Sequence, residues 1–118
     1  RSEVEEIVSK PITDFGTRQF LLTSLYWKEK EQLAFRFNLE VFNKKIEEIG
    51  KALPIENIFE KPTLFLRGSK SNYILDEDFE TIKYHFPNSE IKTISNAGHW
   101  LHAENPKDFY IETMSFLK

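Results

Sequence analysis

The run Thr63–Leu64–Phe65–Leu66, opened by Pro62 and closed by Arg67–Gly68, constrains this chain more than any other stretch. It does not alternate, so neither face is written for water. Such a run reads as a strand buried on both sides, the kind found inside a parallel sheet. A parallel neighbour needs a crossover, and the residues that follow provide one. Asp76 opens a predicted helix whose inner face is Phe79, Ile82 and Phe86, and Pro87–Asn88 ends it. Ile91 and Ile94, with Lys92 between them, predict a second strand nearer the sheet's margin. Asn105 and Pro106 then form an N-cap and first-turn pair for a last helix through Phe109, Thr113 and Phe116. Strand–helix–strand–helix over residues 54–118 is an α/β unit with parallel strands.

Residues 1–53 differ in character and read as a helical segment with one hairpin. Val4, Ile7 and Val8 fall at helical spacing in a short acidic helix. Pro11 suits the first turn of a second helix through Phe15, Gln19, Leu22 and Leu25, although Gly16 within it weakens that pattern. Trp27 and the run Ala34–Phe37 pair across a polar turn at Lys28–Gln32. Asn38 caps the clearest helix of this half, with Leu39, Phe42, Ile46 and Ile49 in one stripe before Gly50.

The 118 residues are enough for one modest core, and 40% hydrophobic with 30% charged residues is the balance of a globular protein. A net charge of −3 leaves no basic footprint for nucleic acid, and no apolar run approaches the roughly 20 residues of a membrane span. There is no cysteine, hence no disulfide framework and no thiolate metal site, which fits a reducing, cytoplasmic setting.

Chemistry concentrates in Asn96–Ala97–Gly98–His99–Trp100–Leu101–His102–Ala103–Glu104–Asn105–Pro106. This stretch follows the last predicted strand and precedes the last helix. His99 therefore sits on a loop at the carboxyl ends of parallel strands, where open α/β sheets place their ligand sites. Gly98 gives the backbone freedom to turn and leaves room beside the imidazole, as a general base needs if it is to reach a nucleophile on another loop.

The pattern Gly98–His99–Trp100 with Glu104 and Pro106 resembles the histidine loop of the α/β-hydrolase superfamily. Pro62–Gly68 resembles the penultimate strand of that fold, and Phe86–Pro87 before the last strand also fits. Arg18–Leu22 and Phe35–Leu39 are similar to the cap region of the YbfF-type esterases and their abhydrolase-domain relatives. The resemblance spans nearly the whole chain. It implies the C-terminal part of an α/β-hydrolase fold, a cap over residues 1–53 and core strands over 54–118. His99 would be the general base of a serine hydrolase acting on carboxylic esters or thioesters, with no metal or organic cofactor.

Two departures from the family pattern shape the expectation. The loop after the penultimate strand commonly reads Gly–x–x–Asp and supplies the acid, whereas here Gly68–Ser69–Lys70–Ser71 puts a serine there. Resemblance to the YbfF-type branch implies an acid at the end of an earlier strand, upstream of these residues. Ser71 becomes a fourth member of the site, able to exchange one hydrogen bond with the imidazole but unable to offset its charge. The nucleophile elbow Gly–x–Ser–x–Gly is also missing, since none of Gly16, Gly50, Gly68 and Gly98 frames a serine in that way. In this fold the nucleophile and acid precede the histidine. The expectation is therefore a fragment, completed by an N-terminal half of the same protein or by a second chain, and inactive alone.

Other candidates divide by role. Trp100 either packs or walls an acyl pocket beside His99. Phe20 and Phe35, with Phe15, Trp27 and Phe37, either line a substrate tunnel or pack the cap, and most of the set reads as core. His102 reads as a structural hydrogen-bonding residue, His85 as a solvated helix residue, and Glu104 as a tie for its own loop. Asp76 and Asp78 read as helix-start residues. His99 and His102 lack a third ligand at useful spacing for zinc. Dehalogenation, epoxide opening or C–C hydrolysis on the same fold would use the same histidine, and a noncatalytic binding module remains the alternative of a different class.

Overall fold

The computed structural model describes residues 1–118, which divide into two compact units, Arg1–Ala52 and Leu53–Lys118.

In the first unit, helices α1 (Ser2–Ser9) and α2 (Phe15–Leu22) precede strands β1 (Leu25–Glu29) and β2 (Gln32–Phe35), and helix α3 (Leu39–Ile49) follows. Pro11 does not open α2. Asp14 does, its carboxylate accepting the Thr17 amide at 2.6 Å. A short side-chain acceptor outcompetes the Pro11 start because it satisfies an amide that the helix cannot. The helix also stops at Leu22, so Leu25 belongs to β1. The antiparallel hairpin pairs Trp27 with Leu33 and turns tightly through Glu31 at φ 66°. Helix α3 has the expected ends: Asn38 Oδ1 accepts the Val41 amide at 3.0 Å, and Gly50 closes the last turn.

This unit has one buried hydrophobic residue, Leu22. Phe15, Phe20, Trp27 and Phe37 are exposed, so the reading of most of these aromatics as core does not hold. A hairpin and three short helices offer too little second layer to cover them. Phe35 is the half-buried exception, stacked on Phe37 with ring centroids 4.9 Å apart. Phe37 leads into an apolar groove of about 620 Å³ shared by Leu21, Val41, Phe42 and Ile49.

The second unit is the α/β half. Strands β3 (Thr63–Gly68) and β4 (Ser89–Ile94) pair in parallel, Phe65 opposite Ile91 and Gly68 opposite Ile94. A 3₁₀ turn (Asp76–Asp78) and helix α4 (Phe79–His85) form the crossover, and short helix α5 (Leu101–Glu104) with α6 (Pro106–Leu117) completes the chain. α6 packs against both strands. Phe86 meets Phe65 edge-on at 5.0 Å and Phe59 at 6.1 Å. Ile94 and Ala97 are the fully buried apolar residues, so the core lies at the carboxyl end of β4. Thr63 to Leu66 are only half-buried, because β3 has a strand partner on one edge and none on the other. The apolar run is more hydrophobic than its surroundings in this chain require. No helix is long and apolar enough to cross a membrane.

Candidate active site

The site grows out of the carboxyl ends of β3 and β4. After Ile94 the backbone leaves the sheet through Asn96, whose φ of 53° places it in the left-handed region. Asparagine tolerates that region better than most residues, so the sharp turn falls there and not at Gly98. Gly98 has ordinary φ, and what glycine supplies is space for Glu104, whose Oε2 accepts the Gly98 amide at 2.7 Å. Glu104 is thus the tie for its loop that its position suggested. A second tie closes the loop's base. Asn105 Nδ2 donates to the Ser95 carbonyl at 2.9 Å and to Asp108 Oδ2 at 2.8 Å, while Asn105 Oδ1 accepts the Asp108 amide at 3.2 Å and caps α6.

β3 holds this loop from below. Gly68 is buried with the Ala97 and Gly98 carbonyls directly against it, leaving no room for a side chain. Just beyond, the Ser69 amide donates to Ile94 and the Lys70 amide to Ala97, both at 2.9 Å. The loop that contains Ser71 is therefore laced to the loop that contains His99 by backbone bonds.

Arg67 anchors the far side of the Ser71 loop. Its side chain is mostly buried, with Nε donating to Thr93 Oγ1 at 2.9 Å, Nη1 to the Ile74 carbonyl at 3.3 Å, and Nη2 paired with Asp76 at 2.6 Å. The guanidinium also lies 4.7 Å from the Phe79 ring centroid. Asp76 is consequently an ion-pair partner, and Asp78 is the residue that holds the helix start, accepting the Leu75 amide at 2.8 Å. An open cavity of about 650 Å³ lies over this loop, with Ser71, Asn72 and Thr93 on its wall.

His99 is exposed, and its imidazole stacks on Tyr73 with centroids 3.9 Å apart and planes 24° from parallel. Ser71 and His99 share no direct hydrogen bond. Ser71 Oγ accepts the Tyr73 amide at 3.2 Å, and Tyr73 stands between the two in the chain of contacts. Tyr73 carried no signal in the sequence, since an exposed aromatic two residues past a serine matches no motif. Trp100 is half-buried beside His99, and its carbonyl accepts the Ala103 and Glu104 amides that begin α5. Phe20 and Phe35 lie in the first unit, on α2 and β2.

The other histidines depart from expectation. His85 is not simply solvated: its Nδ1 contacts the Asn57 carbonyl at 2.7 Å and must donate, because a carbonyl can only accept. His102 makes an edge contact with Phe109 at 6.2 Å instead of a hydrogen bond. No group of three His, Cys, Asp or Glu side chains is arranged to hold a metal ion.

No protein-family model matches the chain. It is 37% identical over 118 residues to the sn-1-specific diacylglycerol lipase ABHD11 of Danio rerio, covering all of this chain and 37% of that protein. It is 30% identical over 108 residues to esterase YbfF of Escherichia coli, covering 90% of this chain and 39% of that one. A marine microorganism esterase superposes with a TM-score of 0.86 at 37% identity, over 98% of this chain and 44% of the other. The chain thus spans less than half the length of the proteins it resembles.

Proposed function

We propose that this chain, the C-terminal portion of an α/β-hydrolase, contributes the general-base histidine of a serine hydrolase acting on carboxylic esters or thioesters. The observation that carries the reading is the seating of His99. Its ring is exposed on a loop at the carboxyl ends of two parallel strands, with that loop tied at Gly98, Ser95 and Gly68. A base that serves a nucleophile on another segment needs a fixed backbone and an accessible ring.

In this reading the serine nucleophile and the carboxylate partner lie outside these 118 residues. The serine Oγ attacks the acyl carbon while His99 takes its proton. The tetrahedral intermediate collapses as His99 gives that proton to the departing alcohol or thiol, leaving an acyl-enzyme. Water then repeats the cycle, with His99 as base for its deprotonation. Backbone amides of the remaining protein stabilise the oxyanion. Ser71 is a supporting hydroxyl in the same site, and Trp100, half-buried beside His99, is the apolar surface assigned to the acyl group. The residues 1–53 form the cap segment and 54–118 the core segment. ABHD11 and YbfF, a diacylglycerol lipase and an esterase by name, support ester substrates.

The test is His99→Ala in the protein that carries this chain. Ester hydrolysis should fall by several orders of magnitude with the fold retained. Near-normal turnover by a folded variant removes His99 from the mechanism. The 118 residues alone should not hydrolyse activated esters above background, and covalent labelling of a serine within them by a fluorophosphonate would overturn that.

A further inference from the structure

We propose that Tyr73 is a positioning residue for His99, fixing the plane of the imidazole through its ring face. The inference rests on His99 being the base of the reaction and adds a residue that the reaction scheme does not contain. No hydrogen bond within this chain orients the His99 ring, and the Tyr73 stack at 3.9 Å and 24° is the contact that does. An imidazole turns about two side-chain torsions, and a triad base must present one nitrogen to the nucleophile and the other to the acid at once. A contact through the ring face restrains the plane and leaves both edge nitrogens open. Stacking therefore does not compete with proton transfer, as an additional hydrogen bond to either nitrogen would.

Tyr73 is built as a platform. The residue is 75% exposed, so packing of a core does not account for its placement. Its backbone is pinned on both sides. The Ser71 amide donates to the Gly68 carbonyl at 3.0 Å, Ser71 Oγ accepts the Tyr73 amide at 3.2 Å, and Arg67 holds the Ile74 carbonyl at 3.3 Å. The serine that stands where the family commonly has an acid thus acts on His99 through Tyr73, by shaping the turn that offers the ring.

The experiment compares Tyr73→Phe and Tyr73→Leu in the protein that carries this chain. Tyr73→Phe keeps the ring and should hold kcat within about twofold, while Tyr73→Leu should lower kcat about tenfold with KM unchanged. The His99 ring protons, observed by NMR, should be shifted upfield by the aromatic ring current in the parent and in Tyr73→Phe, and should lose that shift in Tyr73→Leu. Loss of the ring-current shift with unchanged kcat overturns the inference, as does absence of the shift in the parent. A Tyr73→Phe defect as large as that of Tyr73→Leu also overturns it, since the hydroxyl would then be the working group. Failure of the base assignment looks different: His99→Ala would stay active although the parent, with His99 in place, still showed the ring-current shift.

Discussion

Gly68 and Gly98 meet through their backbones: a Cβ on Gly68 would stand 2.1 Å from the Gly98 carbonyl oxygen and 2.3 Å from that of Ala97. Both obstacles are backbone carbonyls of the two residues that precede His99, so neither can swing aside as a side chain would. Gly68→Ala should destabilise by about 1–3 kcal/mol through overpacking and should displace the histidine loop. Gly98→Ala meets only the flexible end of Glu104, at 3.2 Å, and should be milder. Denaturant midpoints of the two variants, read beside their ester hydrolysis, check the ranking. Equal effects would show that the loop is not seated on Gly68.

Glu104→Ala should leave the half-buried Gly98 amide without its acceptor, at a cost of about 1 kcal/mol. Glu104→Gln keeps a side-chain oxygen at the same reach and should recover most of that stability. Hydrogen exchange at the Gly98 amide is the direct readout, fast in the alanine variant and slow in the other two.

Ser71→Ala should reduce turnover less than His99→Ala does. The loss is one neutral hydrogen bond to the Tyr73 amide, typically worth about 1 kcal/mol, and the proton-transfer group remains. Steady-state kinetics of both single variants decide this. A Ser71 defect as deep as that of His99 would mean that the serine takes part in the chemistry directly.

Arg67→Lys should loosen the loop despite keeping the charge. One ammonium cannot reproduce the planar fork that reaches Thr93, Ile74 and Asp76 while lying over Phe79. The Asp76 carboxylate is 85% exposed, so most of the loss comes from the neutral contacts and not from the ion pair. Faster amide exchange across residues 70–78, with the strands unaffected, is the expected pattern.

The Asp14 cap gives a pH dependence of known sign. Hydrogen bonding to Thr17 and the nearby Arg18 charge hold its carboxyl below the ordinary value of 3.8. A carboxylate depressed in the folded state stabilises it above the unfolded value, and that contribution is lost as pH falls through the folded one. Helix α2 in Asp14→Ala should therefore be weaker than in the parent at neutral pH, with the difference closing in acid below 3.8. A difference that persists unchanged in strong acid would rule out the ionised cap. Far-UV circular dichroism of both proteins across that range is sufficient.

The parts of this fold that local chemistry specifies were legible in the sequence. Asn38 and Asn105 start their helices as their residue type predicts, and the parallel pairing of β3 with β4 follows from the crossover between them. His99 stands out in the sequence as a candidate because Gly98, Trp100 and Pro106 frame it. Tertiary relations were not. Nothing in Pro11 reveals that Asp14 will win the helix start, and Ala97 and Gly98 pressing on Gly68 is a contact between residues thirty positions apart. The half-exposure of the 63–66 run was hidden for a related reason, since apolar sequence records what a strand can bury and not what this chain provides to cover it.

Asn105 joins two functions in one amide, gripping Ser95 across the neck of the histidine loop with its nitrogen and starting α6 with its oxygen. The neck is set from outside the loop's own middle, so the loop behaves like a socket whose rim is separate from its contents. The ties that close the neck come from Glu104 and Asn105 and not from the side chains at 99–103. Such a separation rests the loop's architecture on only a few atoms. It also makes the rim a single point of failure: Asn105→Asp keeps the helix cap, loses the donor to Ser95, and sets a second carboxylate against Asp108.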